Sequence, residues 1–153
     1  MRSGGSLRAE DFPMSETRGN LIPALRYRDA EAAIEWLCSV LGFTRHVVFA
    51  GENGTINHAE LRLGNGMIML GSVKDDEYGR GFTPPKELGG VETRSVYIVV
   101  ADADAVHARA VAAGAEIVRP LQETHYGSRE FAVKDPDGHS WSVGTYDPWQ
   151  AQG

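Results

Sequence analysis

The chain says the same thing twice, and that repetition constrains its fold more than any other feature. In the first half, "LIPALRYRD" reads as a strand ending in Asp29, a good helix N-cap. "AEAAIEWLCSVLGF" follows, with Ala33, Ile34, Leu37 and Leu41 on one helical face and Gly42 placed to stop it. Three strand candidates come next, "TRHVVFA", "TINHAELRL" and "MIMLGS", separated by the hairpin signals "GENG" and "GNG". The second half repeats the order. "SVYIVVAD" is a strand ending at Asp102, "ADAVHARAVAAG" is a helix stopped by Gly114, and "EIVRP", "SREFAVKD" and "HSWSVGT" are strands. Each half therefore reads strand–helix–strand–strand–strand.

A helix laid on a four-stranded sheet covers one face and leaves the other bare. The expected fold class is α+β: two βαβββ modules forming a cup-shaped mixed sheet with helices on the outer face. Two halves, from one chain or from partner chains, would curl their bare faces into a shared pocket for a small molecule. The boundaries read as a polar, Gly/Ser-rich tail over 1–19, a single domain over 20–146 with modules at 20–71 and 95–146, and a C-terminal tail over 147–153. Met14 would serve as a start as well as Met1, which leaves the place of residues 1–13 in the natural protein open. The connector over 72–94 holds two prolines and several glycines without periodicity, a length that tends to be functional or mobile.

Bulk properties exclude some functions. No apolar run approaches the roughly 20 residues needed to span a bilayer, and no signal peptide is legible. A formal net charge of −6 argues against a nucleic-acid partner, which needs a basic face. The single cysteine, Cys38, rules out an intrachain disulfide and reads as a buried structural thiol in the first helix. The cytoplasm is the expected compartment.

The segments "RYRDAEAAIEWLCSVLGF", "HAELRLGNGMIMLGS", "VYIVVADADAVHARAVAAGAE" and above all "YGSREFAVKDPDGHSW" resemble the vicinal oxygen chelate superfamily. That superfamily includes glyoxalase I, extradiol dioxygenases, fosfomycin-resistance enzymes and bleomycin-resistance proteins. The resemblance covers about residues 20 to 146, and it is nearest to the small bacterial bleomycin-resistance-like branch. The last segment is similar to the family ending G-x-R … D-P-x-G-x-x-W. Within it, Pro136 and Gly138 build the turn. His139 is expected as a solvated histidine at the rim, with Trp141 and Val143 packed on a helix and Ser140, Ser142 and Gly144 toward the cup.

Metal-using members of the family place His or Glu on four strands, where a divalent ion polarises the substrate. Carried over, these positions fall near Ile22, Met69, Ser95 and Ser142, none of which suits a hard cation. A residual pair, His58 and Glu60, needs a third ligand such as His125 or His139. Without one, these residues read as a polar stripe with Arg62. His46 has less support as a ligand, and His107 reads as surface. No cofactor is therefore expected, and a divalent metal enters only under an enzymatic alternative.

The cup wall expected from alternation includes Arg26, Met69, Tyr97, Tyr126, Arg129, Phe131 and Ser142, with His58 and Glu60. Arg129 has a competing reading as a structural salt bridge to Glu60 or a nearby Asp, and Met67 and Met69 as plain core. Trp36 lies off the apolar stripe and suits an interface, and an ordered Trp149 would imply docking. Three functions compete. The favoured one is a homodimeric protein that binds a small organic ligand. The second is a lyase, isomerase or dioxygenase with displaced metal ligands or metal-free acid–base chemistry through His58, Glu60 or Tyr97. The third is an interaction module with a filled pocket.

Overall fold

The computed structural model describes residue 17 and residues 19–150. The expected N-terminal tail and the last three residues thus fall almost wholly outside the described residues. Among these, no helix is long and apolar enough to cross a membrane.

The two modules form as read, and the fold is α+β. The first runs β1 (Ala24–Tyr27), α1 (Ala30–Trp36), β2 (Thr44–Ala50), β3 (Ile56–Leu63) and β4 (Gly66–Ser72). The second runs β5 (Val96–Val99), α2 (Ala103–Ala112), β6 (Glu116–Glu123), β7 (Arg129–Lys134) and β8 (Ser140–Gly144). Their sheets share one topology, β1-β4-β3-β2 and β5-β8-β7-β6, with the first strand of each module parallel to the last and the other pairs antiparallel. Among the described residues, one edge of β1 and one edge of β5 therefore carry no strand partner.

Both helices begin on an aspartate. Asp29 accepts a hydrogen bond from the Ala32 amide and Asp102 from the Ala105 amide, each at 3.0 Å. The first helix does not run regularly to its glycine stop. After Trp36 it widens into a π-helical turn, Leu37–Leu41, which buries Leu37, Val40 and Leu41 together before Gly42 ends it at φ 88°. Burying a side chain such as Ile34 or Leu37 contributes roughly 1.5–3 kcal/mol each.

The covered sides of the two modules meet in one hydrophobic core. Tyr27, Ile34, Leu37, Leu41 and Phe43 from the first join Phe131, Val133, Trp141 and Val143 from the second. Phe43 meets Trp141 edge to face at 5.9 Å, and the Arg109 guanidinium of α2 donates to the Val40 carbonyl at 3.0 Å. Trp36 and Cys38 are half-buried against the same core.

The D-P-D-G turn joins the modules, which corrects the expectation of a solvated His139. Asp135 Oδ1 accepts from the Asp137 and His139 amides and closes the turn. Its Oδ2 accepts from the Tyr27 hydroxyl at 2.7 Å and from Trp141 Nε1 at 3.1 Å. Asp137 accepts from the Arg28 amide at 2.7 Å, and its carbonyl accepts from the Lys86 amide at 2.9 Å. The His139 ring is largely covered. Its Nε2 donates to the Arg26 carbonyl at 3.0 Å, its Nδ1 lies 3.4 Å from Glu92, and its ring meets Tyr27 at 4.9 Å. The reason is geometric: the turn abuts the end of β1, so the residue after it points into the junction. The connector is anchored there too, through Glu92 to the Ser140 amide and Glu87 to Arg28.

Candidate functional site

Each sheet has one face that no helix covers. On the first, strand register sets Ala24, Met69, Glu60 and Val47 in one row, Arg62 beside Met67, and His58 beside Phe49. Arg26 lies next to Gly71, whose missing Cβ makes room for the guanidinium, which donates to the Ser72 carbonyl at 3.4 Å. His58 Nε2 is 2.8 Å from Glu60 Oε2, His46 Nε2 is 4.0 Å from Glu60 Oε1, and Phe49 stacks on His58 at 6.3 Å. Phe49 remains 58% exposed, so this aromatic and polar surface is open to solvent.

On the second sheet, Tyr97 pairs with Ser142, and Ser142 with Ala132. Val99 pairs with Gly144, and Gly144 with Glu130. Tyr97 leans across Gly144: a Cβ there would meet the Tyr97 hydroxyl at 2.5 Å and Glu130 Cγ at 2.8 Å. The Tyr97 hydroxyl donates to the Tyr146 carbonyl at 2.7 Å. The Tyr126 hydroxyl donates to Glu130 Oε1 at 2.9 Å, and the Arg119 guanidinium sits 3.5 Å from the same oxygen. Burial holds the Tyr97 phenol above its ordinary pKa, and the hydrogen bond to Glu130 does the same for Tyr126. Both shifts favour the protonated phenol, the form that donates a hydrogen bond.

Arg26, His58, Glu60, Met69, Tyr97 and Ser142 thus belong to the open faces, and Tyr126 borders the second. Two assignments are corrected. Phe131 is fully buried on the covered face, where it meets His107 at 5.1 Å. Arg129 lies on that same side, its guanidinium 3.1 Å from Asp104 of α2. His107 in turn is no free surface residue. The alternation of β7 runs one residue out of phase with the expectation for Arg129 and Phe131, and the residue on the open face is Glu130. The signal was available: Val133 pairs with Trp141, so Phe131 shares the face of a tryptophan already assigned to the core.

The four carried-over metal positions supply no hard donor set. Ile22 and Ser95 lie just before β1 and β5, while Met69 and Ser142 sit on the open faces of separate sheets. His125 rests against Tyr126, and His139 is held at the module junction. Among the described residues, no three His, Cys, Asp or Glu side chains are grouped to hold an ion. The side chains of Ile22, Met69, Ser95 and Ser142 do not fit a hard divalent ion.

No hydrogen bond, ion pair or ring contact joins one open face to the other among the described residues. A groove of about 850 Å³ runs along the free edge of β5 between the modules. It reaches Leu21, Met67, Tyr97, Val99 and Trp149, and does not include His58, Glu60 or Ser142.

Residues 21–143 match the family model described as Glyoxalase/Bleomycin resistance protein/Dioxygenase superfamily. An uncharacterized protein of Mycobacterium bovis is 33% identical over 124 residues, 81% of each chain. The crystal structure of TioX from Micromonospora sp. ML1 is 33% identical, with a TM-score of 0.64 over 82% of this chain and 94% of that one. A glyoxylase/bleomycin resistance protein/dioxygenase domain from Frankia sp. EAN1pec shares the fold at 21% identity, with a TM-score of 0.63 over 86% of this chain and all of that one.

Proposed function

Because this chain belongs to the Glyoxalase/Bleomycin resistance protein/Dioxygenase superfamily, we propose that it binds a small organic molecule on the uncovered faces of its sheets, by shape and hydrogen bonding, without the metal centre of its metal-using relatives. One observation carries this reading. Both uncovered faces set a few polar groups among aromatic and thioether side chains: His58 and Glu60 beside Phe49, Met67 and Met69, and Glu130 beside Tyr97 and Tyr126. Such mixed surfaces orient a guest through few hydrogen bonds and hold it through apolar contact.

The partner that closes the pocket is a second copy of the chain. β1 and β5 are equivalent strands of four residues each, and each leaves one edge unpaired among the described residues. A two-fold axis that sets β1 of one copy beside β5 of the other does so twice, so the assembly closes. It brings the open face of a first module against that of a second and covers the groove between the modules. Leu21 and Trp149 border that groove at 93% and 95% exposure, as residues awaiting a partner would.

Titration calorimetry with Zn²⁺, Ni²⁺ and Fe²⁺ tests the metal-free part of the proposal. No stoichiometric binding is expected. Tight binding lost in His58→Ala and Glu60→Ala would overturn it. A second reading draws on the 2.8 Å contact between His58 and Glu60, which orients an imidazole for proton transfer. Turnover of a glutathione hemithioacetal or a catechol, lost in those two variants, would establish it instead.

A further inference from the structure

Glu130 gives the second open face a chemical preference, and the inference rests on the binding role proposed above. Its side chain is only 5% exposed, although it stands on the face that no helix covers. Three neighbours bury it: Tyr97, packed over Gly144 against its stem, Tyr126 and Arg119. The phenol protons nearby are engaged within the protein. The Tyr126 hydroxyl donates to Oε1 of Glu130 and the Tyr97 hydroxyl to the Tyr146 carbonyl. Oε2 of Glu130 has no hydrogen-bond partner among the described residues, and no buried side-chain oxygen there is left sealed without one. It therefore keeps a small accessible surface of its own. A largely buried carboxylate, ringed by phenol oxygens whose donors are engaged, is an acceptor.

The geometry points to Glu130 as the residue that selects the ligand: the guest presents an N–H donor, ammonium or amide, to Oε2 while a flat ring beside that group lies against Tyr97 and Tyr126. Tyr126 is half exposed and meets Tyr146 edge to face at 5.5 Å, which holds its ring at the rim. A ligand with a carboxylate at the same place would face the charge of Glu130, with the nearby Arg119 guanidinium already turned toward that charge.

Two probes of one shape and opposite charge test this: tryptamine and indole-3-propionate, each titrated into the ¹⁵N-labelled full chain while amide shifts are followed by NMR. Tryptamine is expected to shift the amides of Tyr97, Glu130, Ser142 and Gly144 and to bind about tenfold more tightly than the acid, the size of one charge-assisted hydrogen bond. Glu130→Gln, which keeps the volume, is expected to erase the preference. Tyr126→Phe, which leaves the carboxylate in place, is expected to keep it. Equal binding of both probes, or a preference that survives Glu130→Gln, would overturn the assignment of Glu130 and leave the binding role standing. If neither probe shifts an amide on either open face, the assignment and the binding role both fall.

Discussion

The Tyr27 hydroxyl donates to Asp135 Oδ2 across 2.7 Å, and the two residues belong to different modules. Both are buried, so the bond is shielded from water and its loss leaves a carboxylate oxygen with one donor fewer. Tyr27→Phe is expected to destabilise the fold by about 1–3 kcal/mol. Urea unfolding of Tyr27→Phe, Asp135→Asn and the double variant measures it. Strictly additive losses would show that the two side chains do not couple.

The same aspartate sets a pH dependence of unusual sign. Burial is the largest influence on Asp135 and lifts its carboxyl above the ordinary 3.8, against the donors that favour the ionised form. A folded pKa above the unfolded one means that the folded state holds the proton longer. This contribution is full below the unfolded pKa, near 3.8, and is lost as pH rises through the folded value. Stability of the wild type is expected to fall through that window relative to Asp135→Asn, in unfolding curves taken at closely spaced pH. A gap between the two that stays constant with pH would contradict it.

Gly144 is required for its size. Gly144→Ala sets a methyl against the Tyr97 hydroxyl and the Glu130 stem, so Tyr97 must swing out of its hydrogen bond to Tyr146. A loss of about 1–3 kcal/mol in thermal or chemical unfolding is expected, together with weaker tryptamine binding. Unchanged stability and binding would show that the ring is free to move.

Much of this architecture was legible because turn chemistry and helix caps are local. Asp29 and Asp102 mark helix starts by their side-chain caps and Gly42 and Gly64 mark turns by their positive φ, and the repeat then dictates two equal modules. The phase of β7 was lost for a physical reason: "SREFAVKD" places Arg129, Glu130 and Phe131 side by side, and either parity leaves an apolar residue on each face. Only pairing with Trp141 resolves it. The place of His139 was not legible at all, since it depends on where β1 ends in another module. The same is true of the buried character of Glu130, which neighbours from three separate segments create.

Pairing of two copies is expected to show as twice the chain mass in light scattering coupled to size exclusion. Val99, 43% exposed on β5, lies at the proposed seam, and Val99→Lys is expected to yield single chains with an intact circular dichroism spectrum. A wild type that stays single at micromolar concentration would rule the pairing out.

Native mass spectrometry of the purified protein, before and after treatment with a chelator, weighs guest against metal directly. The expected spectrum carries an organic adduct that survives the chelator and is released on denaturation. A stoichiometric transition metal, removed by the chelator and absent from His58→Ala and Glu60→Ala, would contradict the account.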